Sequence, residues 1–227
     1  MLYTIFVYPF ELLIGFLFRS LYNFSGNYGV SLILLSVAVS TLLVPFAHIA
    51  EKLQRRERDI QKRMKPKMDE YRSVFKGYEL HLYITNLSRY HHYHPLYALR
   101  GLIGLFIQLP FFLGAYAFLT KYTGINGVSF LFLSDLGSPD RLIQLGSIEI
   151  NLLPFVMTAV NLLSGYVYGV QITRSENISI VAIALVFLVI LYNAPSGLLL
   201  YWTCNNLYNL GKNILYRQIV LPRSVTA

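Results

Sequence analysis

The sequence predicts an all-α integral membrane protein. The expected form is a five-transmembrane-helix bundle with an N-terminal interfacial amphipathic helix and a cytoplasmic helical hairpin. Three observations lead there. Of 227 residues, 55% are hydrophobic and 13% charged, with a mean hydropathy of +0.50, whereas soluble globular chains carry about 25% charged residues. Five apolar stretches approach the roughly 20 residues a helix needs to cross a bilayer. The Lys and Arg residues, 19 in all, gather on one side of any five-span topology. The length suits one bundle rather than two domains.

Residues 1–28 are expected outside the membrane. Met1–Phe18 is apolar, but Pro9 and Glu11 interrupt it, and it has neither a basic n-region nor a small-residue cleavage site. It therefore does not read as a signal peptide. The preferred reading is an interfacial helix from about Phe10 to Asn23 with Glu11 and Arg19 reaching water, and a short span stays open beside it. The first span occupies 29–50, an apolar run broken by small hydroxyl residues and by Pro45 near its end. Residues 51–99 form the hairpin. Leu53, Ile60, Met64, Met68 and Val74 recur at helical intervals among dense charge, Gly77 is its apex, and Pro95 stops the returning helix.

The second span, 100–122, contains Gln108 and Pro110. An irregular external loop follows over 123–150, around Gly137 and Pro139. The third span is 151–170, followed by a cytoplasmic loop at 171–177. The fourth, 178–193, is wholly apolar over Ile178–Tyr192 but reaches only about 22 Å. The fifth, 194–220, starts around the helix-breaking Pro195, and 221–227 is a cytoplasmic tail. Lys and Arg crowd 51–100 and recur at Arg174, Lys212, Arg217 and Arg223, while only Arg19, Lys121 and Arg141 fall opposite. The positive-inside rule then puts the N-terminus outside and the C-terminus in the cytoplasm.

Several function classes are disfavoured. The single Cys204 supports neither an intrachain disulfide nor a Cys-based zinc cluster. No Asp, Glu, Lys or Arg lies mid-span, which argues against a proton-coupled transporter. With no Ser/His pair, paired carboxylates or HExxH, and no phosphate-binding loop, the chain is not expected to be an enzyme or to use a cofactor. His91, His92 and His94 make an incomplete metal site unless His81 joins them, and they read more simply as interfacial imidazoles; no metal is expected. The basic helix Lys52–Lys67 fits anionic lipid headgroups better than a specific nucleic-acid sequence. Arg55, Arg56, Lys62, Lys65 and Lys67 are its candidate substrate or partner contacts.

The stretch NAPSGLLLYWTCNNLYN (193–209) carries more amides than helix packing requires. On a helix, Tyr201, Asn205, Tyr208 and Lys212 form one stripe, and Trp202, Asn206, Asn209 and Asn213 the next. Ser36 and Ser40 share a face of the first span, Gln108 sits in the second, and Thr158, Asn161 and Ser164 line the third. Any one of these alone reads most simply as a packing or hydrogen-bonding residue. Together they point to a wet, polar cavity, because an unpaired amide in hydrocarbon is costly.

Five blocks of the sequence resemble the YidC/Oxa-type membrane protein insertases, in that family's order and at its spacing. They are GNYGVSLILLSVAVSTLLVP (26–45), MKPKM (64–68), FIQLPFFLGAYAFL (106–119), FLFLSDLGSPD (130–140) and APSGLLLYWTCNNLYNL (194–210). The resemblance implies a five-helix core whose groove opens to cytoplasm and lipid and accepts nascent membrane proteins without ATP. It places Gln108 at the family's groove glutamine and Trp202 at an aromatic of the groove lining. With the polar faces above, the expected groove set is Ser36, Ser40, Gln108, Asn161, Tyr201, Trp202, Asn205, Asn206 and Asn209.

The resemblance also implies an arginine five residues before the closing Pro45, where this chain has Ser40. Arg100, near the start of the second span, is expected to snorkel to the headgroups instead of replacing it. The short 221–227 tail, with one Arg, argues against tethering a ribosome through a polybasic C-terminus. The expected function is insertion and folding of nascent membrane proteins in the bacterial inner membrane, by a monomer that works with the lipid bilayer, with the Sec translocon and the ribosome as candidate partners. The alternatives are a non-inserting assembly scaffold and, behind it, a small transporter or channel.

Overall fold

The computed structural model describes residues 2–93, 103–145, 148–168 and 174–219. The hairpin end at His94 and Pro95, Arg100, residues 171–173 of the expected cytoplasmic loop and the 221–227 tail lie outside the described residues. The chain is mostly helical. Its helices are α1 (Leu2–Phe6), α2 (Tyr8–Ser25), α3 (Tyr28–Val74), α4 (Gly77–Tyr90), α5 (Ile103–Lys121), α6 (Leu153–Tyr168), α7 (Arg174–Leu191) and α8 (Ser196–Ile219). Two compact units emerge, Met1–Leu42 with Pro110–Ala227, and Leu43–Leu109.

In the first unit α2 lies on α5. Pro9 sits in its first turn, where its missing N–H costs nothing. Gly114 allows the close approach: a Cβ there would stand 2.7 Å from the Phe10 backbone. Phe18, fully buried, meets the edges of Phe118 and Tyr122 at 5.5 and 5.4 Å. At the exposed end Lys121 donates to Glu11 at 2.9 Å and to Tyr3, whose hydroxyl in turn donates to Glu11. Burial pushes the Glu11 carboxyl up, but these partners outweigh it and hold it below its ordinary range. The outer face of α1 and α2 leaves Ile5, Phe6, Leu12, Phe16 and Phe24 exposed.

The loop after α5 ties the helix ends together. Asp135 Oδ1 accepts from the N–H groups of Gly127 and Gly137, both at 2.8 Å, and Oδ2 from Ser138 Oγ at 2.9 Å. Burial pushes this carboxyl up, and the donors more than offset that, so it is held below its usual range. The Ser196 hydroxyl, at the start of α8, donates to the carbonyls of Asp135 and Ser138. Gly197 N–H adds a bond of 2.8 Å to Leu136 O. Asp140 caps α6 by accepting from Leu152 and Leu153 N–H, and Asn151 Nδ2 donates to Tyr192 O just past α7. Asn27 caps α3 through Val30 N–H.

One loop therefore gathers the starts of α6 and α8 and the ends of α5 and α7. A Cβ on Gly29 would collide with the Phe130 ring, which brings the start of α3 to the same end. The five helices thus alternate in direction.

The second unit, Leu43–Leu109, is a helical hairpin on its own. The chain turns after Val74, with Gly77 at φ +63°, a conformation that a Cβ would strain. Tyr83 on α4 stacks on Phe75 at 4.2 Å and leans on Tyr71 at 5.2 Å, while Gln61 Nε2 reaches Tyr93 Oη at 3.2 Å. These pairs run antiparallel. Met64 and Leu87 are buried between the helices.

Three features depart from expectation. The chain is not wholly α: Ile143–Leu145 (β1) and Ile148–Ile150 (β2) pair antiparallel with Gln144 opposite Glu149. Apolar residues alternating with Gln144 and Glu149 favour this strand pair where an irregular loop was expected. The first span and the first hairpin helix are one continuous α3, which passes through Pro45 and Pro66. Finally, among the described residues only Tyr28–Leu53 meets the length and apolarity needed to cross a membrane. Phe106–Lys121, Leu153–Val167 and Val181–Leu191 are apolar but shorter.

The depressed Asp135 carboxyl gives a signed pH dependence. Its ionised form stabilises the loop fully above the ordinary carboxyl value of 3.8, and that contribution is lost as pH falls through the lower folded-state value. Asp135→Asn should lower stability at pH 7 by ~1–2 kcal/mol. Thermal unfolding in detergent should show the gap closing below about pH 4. A gap of constant size would place the loop's stability in other contacts.

Candidate functional site

Within the first unit, α3 and α8 run parallel along a polar seam. Near the loop, Leu32 Cδ1 would lie 3.2 Å from a Cβ on Gly197. Further along, the Ser36 hydroxyl and the Cys204 thiol share a hydrogen bond, and Thr41 Oγ1 meets Tyr208 Oη at 3.2 Å. Steps of four and five residues along α3 against seven and four along α8 keep small polar groups of both helices in register.

Ser36 is fully buried and also donates to Ile33 O at 2.7 Å. Ser40 is buried, but its hydroxyl has no hydrogen-bond partner among the described residues. On α8, Tyr201, Trp202, Asn205 and Asn206 are buried, and Asn209 is half-buried. Asn209 Nδ2 donates to Asn205 Oδ1 at 3.0 Å. Asn206 Nδ2 and Trp202 Nε1 are, like Ser40 Oγ, buried without a partner among the described residues. A buried polar atom left so costs about 1–3 kcal/mol, and such atoms cluster where function opposes stability.

The expected residues are brought together unevenly. Trp202 is only 4% exposed and sits in an aromatic cluster, 4.3 Å from Phe112 of α5 and 5.9 Å from Phe187 of α7. Its ring anchors α8 in the bundle, and its polar edge is the part left for a site. Asn161 of α6 is half-buried. From α6 it is Ser164 that reaches α8, accepting from Asn213 Nδ2 at 3.2 Å. Gln108 is half-buried and partnered, and it belongs to the second unit. There Arg55, Arg56, Lys62, Lys65 and Lys67 are all exposed. Arg55 lies 3.9 Å from Glu51 and Lys67 3.6 Å from Glu70.

Thr41, Cys204 and Tyr208 were absent from the expected groove set. Tyr208 and Lys212 continue the Tyr201 stripe, so helical spacing marks Tyr208. Thr41 follows Ser40, and only the position of α8 reveals it.

The family model of the 60Kd inner membrane protein matches residues 20–222. The chain belongs to this family, the YidC/Oxa type. Its relatives include the membrane protein insertase YidC of Treponema denticola, 27% identical over 97% of this chain and 38% of that protein. YidC of Pelobacter propionicus is 28% identical over 88% of this chain and 36% of its own length. The chain thus spans somewhat over a third of the relatives it matches. A crystal structure described as active YidC insertase with the first transmembrane domain resolved shares the fold. Its TM-score is 0.58 at 21% identity, covering 90% of this chain and 45% of that one.

In this YidC/Oxa-type chain, a polar group that serves a site rather than the fold should be dispensable for stability. Asn206→Leu, which keeps the volume and removes the unpartnered amide, is expected to stabilise the protein by ~1 kcal/mol. The thermal midpoint in detergent checks this. A fall of similar size would give the amide a structural partner.

Proposed function

We propose that the chain is a membrane protein insertase and chaperone. Its five helices α3, α5, α6, α7 and α8 would cross the bacterial inner membrane, with α1 and α2 in the outer interface and the hairpin and C-terminus in the cytoplasm. The observation that carries this reading is a set of buried polar atoms without hydrogen-bond partners among the described residues, Ser40 Oγ on α3 and Trp202 Nε1 and Asn206 Nδ2 on α8. The parallel sense of α3 and α8 supports the topology, since first and fifth helices of an alternating bundle run the same way. The exposed apolar faces of α1, α2 and α7 support contact with lipid.

The mechanism follows from solvation. A hydrophilic tail crossing about 30 Å of hydrocarbon must give up its hydrogen bonds to water. A groove lined by Ser36, Ser40, Asn161, Tyr201, Asn205, Asn206 and Asn209, with the polar edge of Trp202, would replace some of those bonds and shorten the dry path. The apolar segment that follows gains about 25 cal/mol for each Å² it buries in lipid, so no ATP is needed. The exposed cations Arg55, Arg56, Lys62, Lys65 and Lys67 would meet nascent chains, the ribosome or the Sec translocon. The protein would work as a monomer.

Ser40 also favours a second reading, a non-inserting assembly scaffold, because the groove lacks a fixed positive charge. Proteoliposomes containing only this chain separate the two. Protease protection of a small single-span substrate, above empty liposomes and lost in Gln108→Ala/Asn205→Ala/Asn206→Ala, is the expected result. Background protection would favour the scaffold.

The same assay tests the charge. With Ser40, acidic-tailed and neutral-tailed substrates should insert at similar rates. Ser40→Arg should raise insertion of the acidic-tailed one by about tenfold, the effect of ~1.4 kcal/mol of added attraction. An unchanged ratio would remove position 40 from tail selection.

A further inference from the structure

The outer loop carries an apolar feature that the polar seam does not use. Phe130 and Leu133 exchange two N–H···O bonds of 2.9 Å, closing a tight turn whose tip is Leu131 and Phe132. Leu131 has φ +52°, a conformation in which glycine is the inexpensive choice. The turn nonetheless holds a leucine there, 76% exposed, beside Phe132 at 61%. Behind the tip, Phe132, Leu142, Leu152, Leu153 and Val156 line a cleft of about 320 Å³ with no polar surface. That volume is at the small end of the ~300–1,000 Å³ of ligand pockets.

The lining selects the occupant. Ordered water needs two to four polar partners, and the cleft provides none. A peptide segment would bring N–H and C=O groups that go equally unmet. A hydrocarbon chain brings no such groups. The cleft opens at the loop end of α6, continuous with the exposed apolar residues Phe155 and Val156 of that helix. Arg141, at 57% side-chain exposure and 3.2 Å from Glu149, stands beside Leu142 in the chain, a cation at the polar edge of an apolar patch.

We propose that this cleft binds one acyl chain of a phospholipid from the outer leaflet, with Leu131 and Phe132 inserted as a wedge between lipids. The inference rests on the reading that α6 and α7 face the bilayer. Its consequence is that the outer loop is anchored in lipid as well as to the helix ends.

The full chain would be reconstituted in phosphatidylethanolamine–phosphatidylglycerol vesicles containing a phosphatidylcholine with a mid-chain diazirine. After photolysis, adducts would be mapped by peptide mass spectrometry. Label is expected on peptides bearing Phe132 and Leu152–Val156, and on the exposed α7 face at Val189 and Ile190. Val156→Trp, which fills the cleft, should reduce the Phe132 label about tenfold, a loss of one decade in affinity, and leave the α7 label unchanged. Phe132→Gln, which puts an amide at the mouth without adding bulk, should likewise reduce the Leu152–Val156 label. Label on α7 but not on the loop, or loop label indifferent to both substitutions, overturns the proposal while the membrane reading stands. Absence of label from both regions overturns the membrane reading and the proposal with it.

Discussion

The first unit depends on two linked sets of hydrogen bonds, those the Asp135 carboxylate accepts within the outer loop and those the Ser196 hydroxyl donates to that loop's carbonyls. Each helix end exposes backbone groups that have no helical partner, and a chain in lipid must satisfy them internally. Here one loop does so for several helices at once. Asp135 folds the loop on itself through Gly127, Gly137 and Ser138, and Ser196 fastens that fold to α8. Asp140 and Asn151 extend the same device to α6 and α7. Because α8 starts at this knot, the register at which Cys204 and Tyr208 meet Ser36 and Thr41 of α3 is set from there.

Much of the helical architecture was legible because apolar runs and helical spacing are local properties. The α8 stripes, the Gly77 turn and the charge of the hairpin could be read residue by residue. The β1–β2 hairpin was legible too, in the alternation of Ile143, Leu145, Ile148 and Ile150. It went unrecognised because the Gly and Pro residues preceding it suggested irregular structure. The continuity of α3 through Pro45 was not legible, since a proline normally ends or kinks a helix.

The site was legible by composition and obscure by contact. Amides on α8 signal a polar face, but nothing in the sequence says that Ser36 meets Cys204, or that Asn213 meets Ser164. Trp202 shows the limit best. Its stripe and the family resemblance both place it at the groove, whereas its ring is packed between Phe112 and Phe187. An amphipathic side chain can do both, with its body in the core and its N–H at the polar edge.

That dual position explains why the seam can keep unpartnered polar atoms and still hold its shape. Three buried polar atoms without partners, at about 1–3 kcal/mol each, would consume much of the 5–15 kcal/mol that separates a typical folded domain from its unfolded chain. The cost is tolerable only if other contacts fix α8 in place. The Phe112–Trp202–Phe187 cluster and the Ser196 anchor meet that need, one by apolar packing and the other by hydrogen bonds. In this chain the support for α8 is aromatic on one flank and a carboxylate-centred loop at its start.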